Sequence, residues 1–337
     1  MFSMRAKCGL WSGSRNGIED MTCRICGSKD NNITYEVREM MIGLREKFLY
    51  FLCPSCGCLQ IAEIPHSMSK YYPSSYYSFS NEPSTENRLM KWARRERARY
   101  AVFNKGVIGK LIYKKFPNLS LRSLYSLKLM RDSRILDVGC GSGSILYALR
   151  QIGFKNLFGI DPYIDEHIYY ENEVSILKSS IHDLTGQWDV IMFHHSFEHA
   201  SNPLDTLYSM SRLLSKEGVC IIRIPIVSSY AWEHYGVHWV QLDAPRHFYL
   251  HSIDSIELLT RNAGFTLDKV VFDSTAIQFW GSEQYVKDIP LFSDRSYAVN
   301  PSNAIFSREQ IDAYKQRANQ LNLENRGDQA AFYLRRR

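Results

Sequence analysis

Residues 134–161 read RILDVGCGSGSILYALRQIGFKNLFGID, and the order of their segments decides the fold. Ile135–Val138 is an apolar run of strand length, residues 143–152 carry apolar positions at helical spacing, and Leu157–Ile160 is a second short apolar run. Between the first two lies Gly139-Cys140-Gly141-Ser142-Gly143. Glycines let the backbone turn tightly and let a ligand approach bare peptide. The helix start that follows offers unpaired N–H groups and the positive end of a dipole. The competing reading is a plain strand-to-helix turn. The dinucleotide pattern GxGxxG fails, because Ser144 stands at its last glycine position.

Working outward, short apolar runs continue to alternate with amphipathic segments. Strands are expected at Val190–Phe193, Val219–Ile224 and Leu267–Phe272, and helices at about 203–214 and 253–263. Gly218 and Gly264 stand where helix C-caps belong. This βαβ rhythm predicts an α/β fold, a mostly parallel sheet covered by helices. Asp161 follows Gly139 by 22 positions, the distance at which a carboxylate ending the next strand grips ribose hydroxyls. A helix N-cap is the plainer role for it.

Composition is that of an ordinary globular chain: 45% hydrophobic and 23% charged. No run approaches the roughly 18 apolar residues of a membrane helix, and no signal-peptide core is visible. A cytoplasmic location is expected, where thiols stay reduced. The net charge of +6 is concentrated. Between Arg88 and Arg134 lie twelve Lys and Arg against Glu96 and Asp132. That run is either a solvated helical face or a contact for an anionic partner, with peripheral contact to an anionic membrane through 88–134 as one form.

Cys23-Arg-Ile-Cys26 and Cys53-Pro-Ser-Cys56 are two CxxC knuckles, each followed by glycine. Four thiolates so paired match a closed structural zinc site, with Cys58 too close to the second knuckle to be a fifth ligand. Buried unmetallated thiols are the alternative. Cys140 and Cys220 read as small core residues.

The pattern Asp137-Val-Gly139-Cys140-Gly141-Ser-Gly143 resembles the first motif of class I S-adenosylmethionine-dependent methyltransferases. The resemblance covers roughly 134–272 and implies a Rossmann-like sheet of seven strands, the last antiparallel. It implies S-adenosyl-L-methionine as cofactor, held by Asp137, Gly139, Cys140, Gly141, Gly143, Asp161, Pro162 and His194, with Asp183 near the adenine. Residues 189–203 and 211–225 resemble the family's fourth strand with its loop and its helix–glycine–fifth strand stretch.

A zinc ribbon, a tyrosine-rich linker and such a core, in that order, resemble zinc-binding sugar C-methyltransferases. That resemblance implies a linker tyrosine closing the pocket, here Tyr76 or Tyr77, and histidines as acid–base groups, here His199 and His247. The partners of the second histidine in that family are replaced by Ala244 and Arg246. The stretch HWVQLDAPRHFYLHS is closer to methyltransferases of polysaccharide pathways. Histidine suits a base, since it titrates near neutrality. His194, His195, His199, His238 and His247 all fall at expected carboxyl ends of strands, where open α/β sheets bind ligands. Glu198, Asp243 and Arg246 are expected at the substrate. Arg246 serves there as an anion clamp or pairs with Asp243.

The expected division is a disordered leader over 1–21, with Met21 a possible start, then a zinc ribbon over 22–64. An aromatic, basic helical linker over 65–131 and a cofactor-binding domain over 132–337 follow. Gly106, Gly109 and Pro117 are expected to interrupt the linker helices. In the tail, a helix is expected from about Ser307 to Leu321. Gln329–Leu334 is read as the missing strand, beside the fifth and sixth. Residues 275–328 would then be a lid, with Trp280, Ser282 and Tyr285 at the substrate. The function expected is methyl transfer to a sugar or sugar-like small molecule, with a quinone- or lipid-directed O-methyltransferase as alternative. A nucleic-acid modifier is the third reading and no nucleic-acid partner is expected, since the ribbon is not basic and no Asn-Pro-Pro-Tyr type sequence follows the fourth strand.

Overall fold

The strands form two sheets, one of four strands and one of eight. The computed structural model of the chain describes residues 21–29, 31–72 and 87–337. Tyr76, Tyr77 and residues 1–20 lie outside these. After the first cysteine knuckle, β1 (Ile33–Arg38), β2 (Lys47–Leu52) and β3 (Leu59–Ile61) form an antiparallel meander. The basic segment then forms α1 (Arg88–Phe103), α2 (Val107–Lys115) and α3 (Leu119–Ser123). Asn87 and Asn118 cap the first and third by accepting N–H bonds. Gly106 and Pro117 fall between helices, but Gly109 lies inside α2. A Cβ there would meet the Glu96 carbonyl oxygen at 2.3 Å, so glycine permits close packing of α1 and α2 instead of breaking a helix.

The second sheet begins with β4 (Arg134–Val138), followed by α4 (Ser144–Gln151), β5 (Asn156–Ile160), β6 (Ile168–Tyr169), β7 (Ser175–Leu177) and β8 (Trp188–His194). Next come α5 (Pro203–Leu213), β9 (Leu214–Pro225), α6 (Tyr230–Tyr235), β10 (Tyr249–Leu250), α7 (Ile253–Asn262) and β11 (Phe265–Phe272). The tail supplies α8 (Ile277–Val286), α9 (Arg308–Leu323) and β12 (Gln329–Arg336). The strand order is β11-β12-β9-β8-β4-β5-β7-β6. β4, β5, β7, β8 and β9 pair in parallel. The expected count of seven is exceeded by β6, a two-residue edge antiparallel to β7.

β12 lies where the tail reading places it, antiparallel to both neighbours, with Phe332 between Ile222 and Val270. Its alternation explains the position: Ala330, Phe332 and Leu334 enter the core on one face, Ala331 and Tyr333 the core on the other. A strand apolar on both faces is stable only inside a covered sheet. α5 and α7 cover one face, α4 with α1 and α3 the other.

Gly264 takes the left-handed conformation after α7, at φ +79°. Gly218 does not cap α5. The helix passes at Leu214 directly into β9, and Gly218 lies within that strand.

The two sheets are interlocked. β10 pairs with β3 and completes a four-stranded sheet, β1-β2-β3-β10. One apolar core runs from Tyr50, Phe51 and Leu59 through Trp239 and Tyr249 to Leu136, Ile222 and Phe332.

Candidate active site and cysteine cluster

The carboxyl ends of β4, β5 and β8 surround a cavity. It is lined by Val138, Gly139, Ile160, Asp161, Pro162, Tyr163, Ser179 to His182, Phe193, His195, Ser196 and His199 to Asn202, with Tyr72 and Thr206. Gly139, Gly141 and Gly143 all take positive φ. A Cβ on Gly139 would lie 2.4 Å from Ser196 Cβ, so glycine lets the loop after β8 close against the first turn. Ser196 Oγ donates to the Val138 carbonyl at 2.6 Å and ties these turns together.

Asp161 organises the floor. Its carboxylate accepts from Gly141 N and Tyr163 N, each at 2.8 Å. Burial pushes its pKa up, and those two N–H groups partly offset this. With about four lone-pair sites on two oxygens, acceptor capacity remains for vicinal hydroxyls. Among the other expected cofactor contacts, Gly139 and Pro162 line the cavity, whereas Cys140, Gly141 and Gly143 do not. Asp137 is buried and does not line it; burial and Asp161 hold its carboxyl well above the usual carboxylate range. His194 and Asp183 are off the wall. Alternation along β8 puts Phe193 on the cavity side and turns His194 away, so His195 takes the place expected of His194. At the third strand, Ser180, Ile181 and His182 reach the cavity instead of Asp183.

His199 stands at the cavity edge, and His247 packs behind it with ring centroids 5.0 Å apart. Each imidazole places Nδ1 2.7 Å from a backbone carbonyl, that of Arg246 for His199 and that of Gln241 for His247. Burial pushes His247 down to about 4, against the pull of Asp243 and Glu198. Glu198 is fully buried among imidazoles. His195 Nδ1 lies 3.5 Å and His247 Nε2 3.8 Å from its Oε1. Neither carboxylate oxygen makes a hydrogen bond. Burial works to raise Glu198, but His195, His199 and His247 outweigh it and hold it at about 2. His195 Nε2 in turn faces Arg223 at 2.9 Å, and Arg223 pairs with Asp273 at 2.6 Å.

Tyr72 and Tyr163 were missed by sequence reasoning, and His195, one of the five histidines expected at strand ends, was not assigned to the cofactor. His195 was signalled by the period of two from Phe193. Tyr72 falls within the expected aromatic linker over 65–131; its ring stacks on Tyr163 at 5.6 Å, and its hydroxyl lies 3.4 Å from His199 Nδ1. Tyr163, two positions after Asp161, carried no signal of its own.

The expected substrate contacts need correction. Arg246 is fully buried, and its donors are committed to Asp243, to Glu39 at 2.8 Å and to the Tyr71 carbonyl. It is therefore a structural ion pair that joins the cysteine module to this domain, not an anion clamp. Trp280, Ser282 and Tyr285 do not line the cavity. Ser282 Oγ donates to the Gln278 carbonyl and accepts from Val240 N. Tyr285 is buried, and Trp280 packs on Tyr297. Residues 275–328 are no lid over this cavity. Leu291 N and Phe292 N bond the Met40 and Met41 carbonyls, and Arg38 and Arg45 pair with Asp288, so the segment braces the N-terminal meander.

Cys23, Cys26, Cys53 and Cys56 bring their sulfurs within 4.8 Å of one another. The pairs Cys23–Cys56 and Cys26–Cys53 stand at 3.6 and 3.5 Å. These are free thiols. Four sulfurs about 2.3 Å from one ion would stand about 3.8 Å apart, so the donor set fits a tetrahedral zinc. Gly27 and Gly57, at positive φ, close each knuckle by donating to the Cys23 and Cys53 carbonyls. The bond from the Cys56 thiol, joined by the backbone N–H groups of Cys26 and Ile25, brings Cys23 down to about 4 against burial. Cys58 is buried outside the cluster, 3.9 Å from His251 Nδ1.

The Methyltransferase domain family matches residues 111–270. A ubiquinone biosynthesis O-methyltransferase of Rickettsia bellii is 35% identical over 100 residues, which are 27% of this chain and 41% of that protein. A tRNA U34 carboxymethyltransferase of Pseudomonas fluorescens is 25% identical over 154 residues, 41% of this chain and 46% of the relative. The chain thus spans less than half the length of these curated relatives. A SAM-dependent methyltransferase structure from Archaeoglobus fulgidus aligns with 68% of this chain and 99% of its own, at 19% identity and a TM-score of 0.42. The fold is Rossmann-like, of the methyltransferase kind, with a mostly parallel central sheet. Among the described residues, no helix is long and apolar enough to cross a membrane.

Proposed function

We propose that this chain transfers a methyl group from S-adenosyl-L-methionine to a sugar or sugar-like small molecule carried on a nucleotide or a lipid. One observation carries the reading: Gly139 of the glycine turn, Asp161 and His199 open onto one cavity at the carboxyl ends of parallel strands. Asp161 would hold the ribose, while Ile160, Pro162 and Ile181 supply apolar wall. The cofactor provides an activated methyl group when bound. The chain's part is to align an acceptor near 3 Å from that carbon and to draw off its proton. His199 lines that cavity, with His247 packed behind it. A structural zinc on the four cysteines holds the N-terminal knuckles together in the same reading.

A lipid-linked or quinone acceptor is favoured by a further observation. α2 exposes Val107, Ile108 and Leu111 among Lys105, Lys110, Lys114 and Lys115, with Phe116 exposed just beyond. Apolar side chains rimmed by cations suit an anionic membrane surface. The R. bellii relative's name points the same way.

The test is incubation of the protein with cofactor labelled in the methyl group and fractionated cell extract. Label in sugar nucleotides or glycolipids supports the proposal, and label in quinones moves the assignment to the second reading. Label in RNA overturns both.

A further inference from the structure

We propose that Glu198, His199 and His247 form a second metal site, for a divalent first-row transition ion, separate from the cysteine cluster. A carboxylate oxygen of Glu198 and one ring nitrogen from each histidine lie within 4.8 Å of one another. Ligands about 2.1 Å from an ion stand about 3.0–3.4 Å apart, so closure needs about 1 Å of side-chain movement.

Three features of the chain prepare such a site. First, both imidazoles place Nδ1 2.7 Å from a backbone carbonyl. Donation from Nδ1–H fixes the tautomer and leaves the lone pair on Nε2, the arrangement outer partners give to metal-binding histidines. Second, both Glu198 oxygens are buried without a hydrogen bond. A buried carboxylate in that condition costs several kcal/mol unless a cation joins it. Third, His247 Nε2 faces two carboxylate oxygens, Glu198 Oε1 and Asp243 Oδ2, each at 3.8 Å. A lone pair aimed at two anions is repulsive, and an ion between them turns that repulsion into coordination. Asp243 itself is committed to Arg246, which leaves Glu198 as the anionic ligand.

Two imidazoles and one carboxylate suit Mn2+ through Zn2+ better than Mg2+ or Ca2+, which prefer all-oxygen shells. Three protein ligands leave positions open toward the cavity that His199 lines. Resting on the methyltransferase reading, the ion's task is to bind an acceptor hydroxyl, and more tightly an acceptor with two neighbouring oxygens. Its charge lowers the pKa of that hydroxyl. The proton leaves to solvent, the oxygen bonds to the methyl carbon, and the carbon–sulfur bond breaks with its electron pair left on sulfur.

The full-length protein, purified without chelator, is titrated with Co2+ and followed by calorimetry and visible absorption. A nitrogen–oxygen site gives weak d–d bands without the intense thiolate charge-transfer band of a cysteine site. Wild type is expected to take up one Co2+ with the first signature. Glu198→Gln, close in shape, and His247→Ala are expected to lose that ion, with at least a hundredfold weaker binding, while any metal on the cysteines stays. S-adenosylhomocysteine binding checks that each variant is folded. Wild type without the nitrogen–oxygen signature, or a Glu198→Gln protein that keeps it, overturns the site. Neither result depends on turnover, so this assignment and the methyltransferase reading fail separately.

Discussion

Arg246 and Glu39 stand 2.8 Å apart and fully buried, although 207 positions separate them. Glu39 also accepts the backbone N–H groups of Ile42, Gly43 and Leu44, and Arg246 is shared with Asp243. Arg246→Leu strands two carboxylates at once and should cost about 3–5 kcal/mol. Glu39→Gln leaves Arg246 paired and keeps one acceptor oxygen, so about 1–3 kcal/mol is expected. Urea melts of the two variants check the order; equal losses would contradict a shared arginine.

Asp161→Ala removes the carboxylate that reaches both the glycine turn and the cavity. Calorimetry should show S-adenosylhomocysteine binding at least tenfold weaker, about 1.4 kcal/mol. Affinity unchanged from wild type would remove Asp161 from the cofactor site.

Metal analysis of protein purified without chelator should find zinc that Cys23→Ser or Cys53→Ser abolishes. Cys58→Ser should leave the zinc content alone, because its sulfur lies outside the cluster. A zinc content that falls with Cys58 but not with Cys53 would redraw the ligand set.

Deleting residues 328–337 takes β12 from between β9 and β11. It strips ladder hydrogen bonds on both sides and the buried Phe332 and Leu334. Loss of the cooperative thermal transition is expected. A truncated chain that melts like wild type would place this strand at the periphery.

Asp328 is buried, with Trp239 Nε1 donating to its Oδ2 at 2.9 Å. Burial pushes it up to about 6, Trp239 notwithstanding. The folded protein therefore keeps a proton that an unfolded chain releases near 3.8. That contribution is complete below about 3.8, fades as pH rises through about 6, and amounts to about 3 kcal/mol at most. Asp328→Asn should lose less stability than wild type between pH 4 and 7. Parallel urea midpoints for both proteins across that range would refute it.

Legibility followed the range of the physical signal. β4, β5, β8, β9 and β11 announce themselves by local apolar runs, and the turn at Gly139 by its glycines. β12 was readable because a two-faced apolar segment at the end of the chain needs a covered place. β10 has two residues, too few to show a period, and its partner β3 is far away in sequence. The Arg246 assignment needed Glu39, which no local pattern links to it. His195 in place of His194 turned on one residue of register at a strand end, where the chain leaves the ladder at φ +54°. The lid reading failed because the length of 275–328 says nothing about which surface it covers.

β10 gives the small sheet a second meaning. The two residues that complete it directly follow the loop carrying Asp243, Arg246 and His247, and Tyr50 of β2 donates through its hydroxyl to the His247 carbonyl. The cysteine-bearing sheet is thus a scaffold for the loop of His247, while the glycine turn and Asp161 are built on the other sheet.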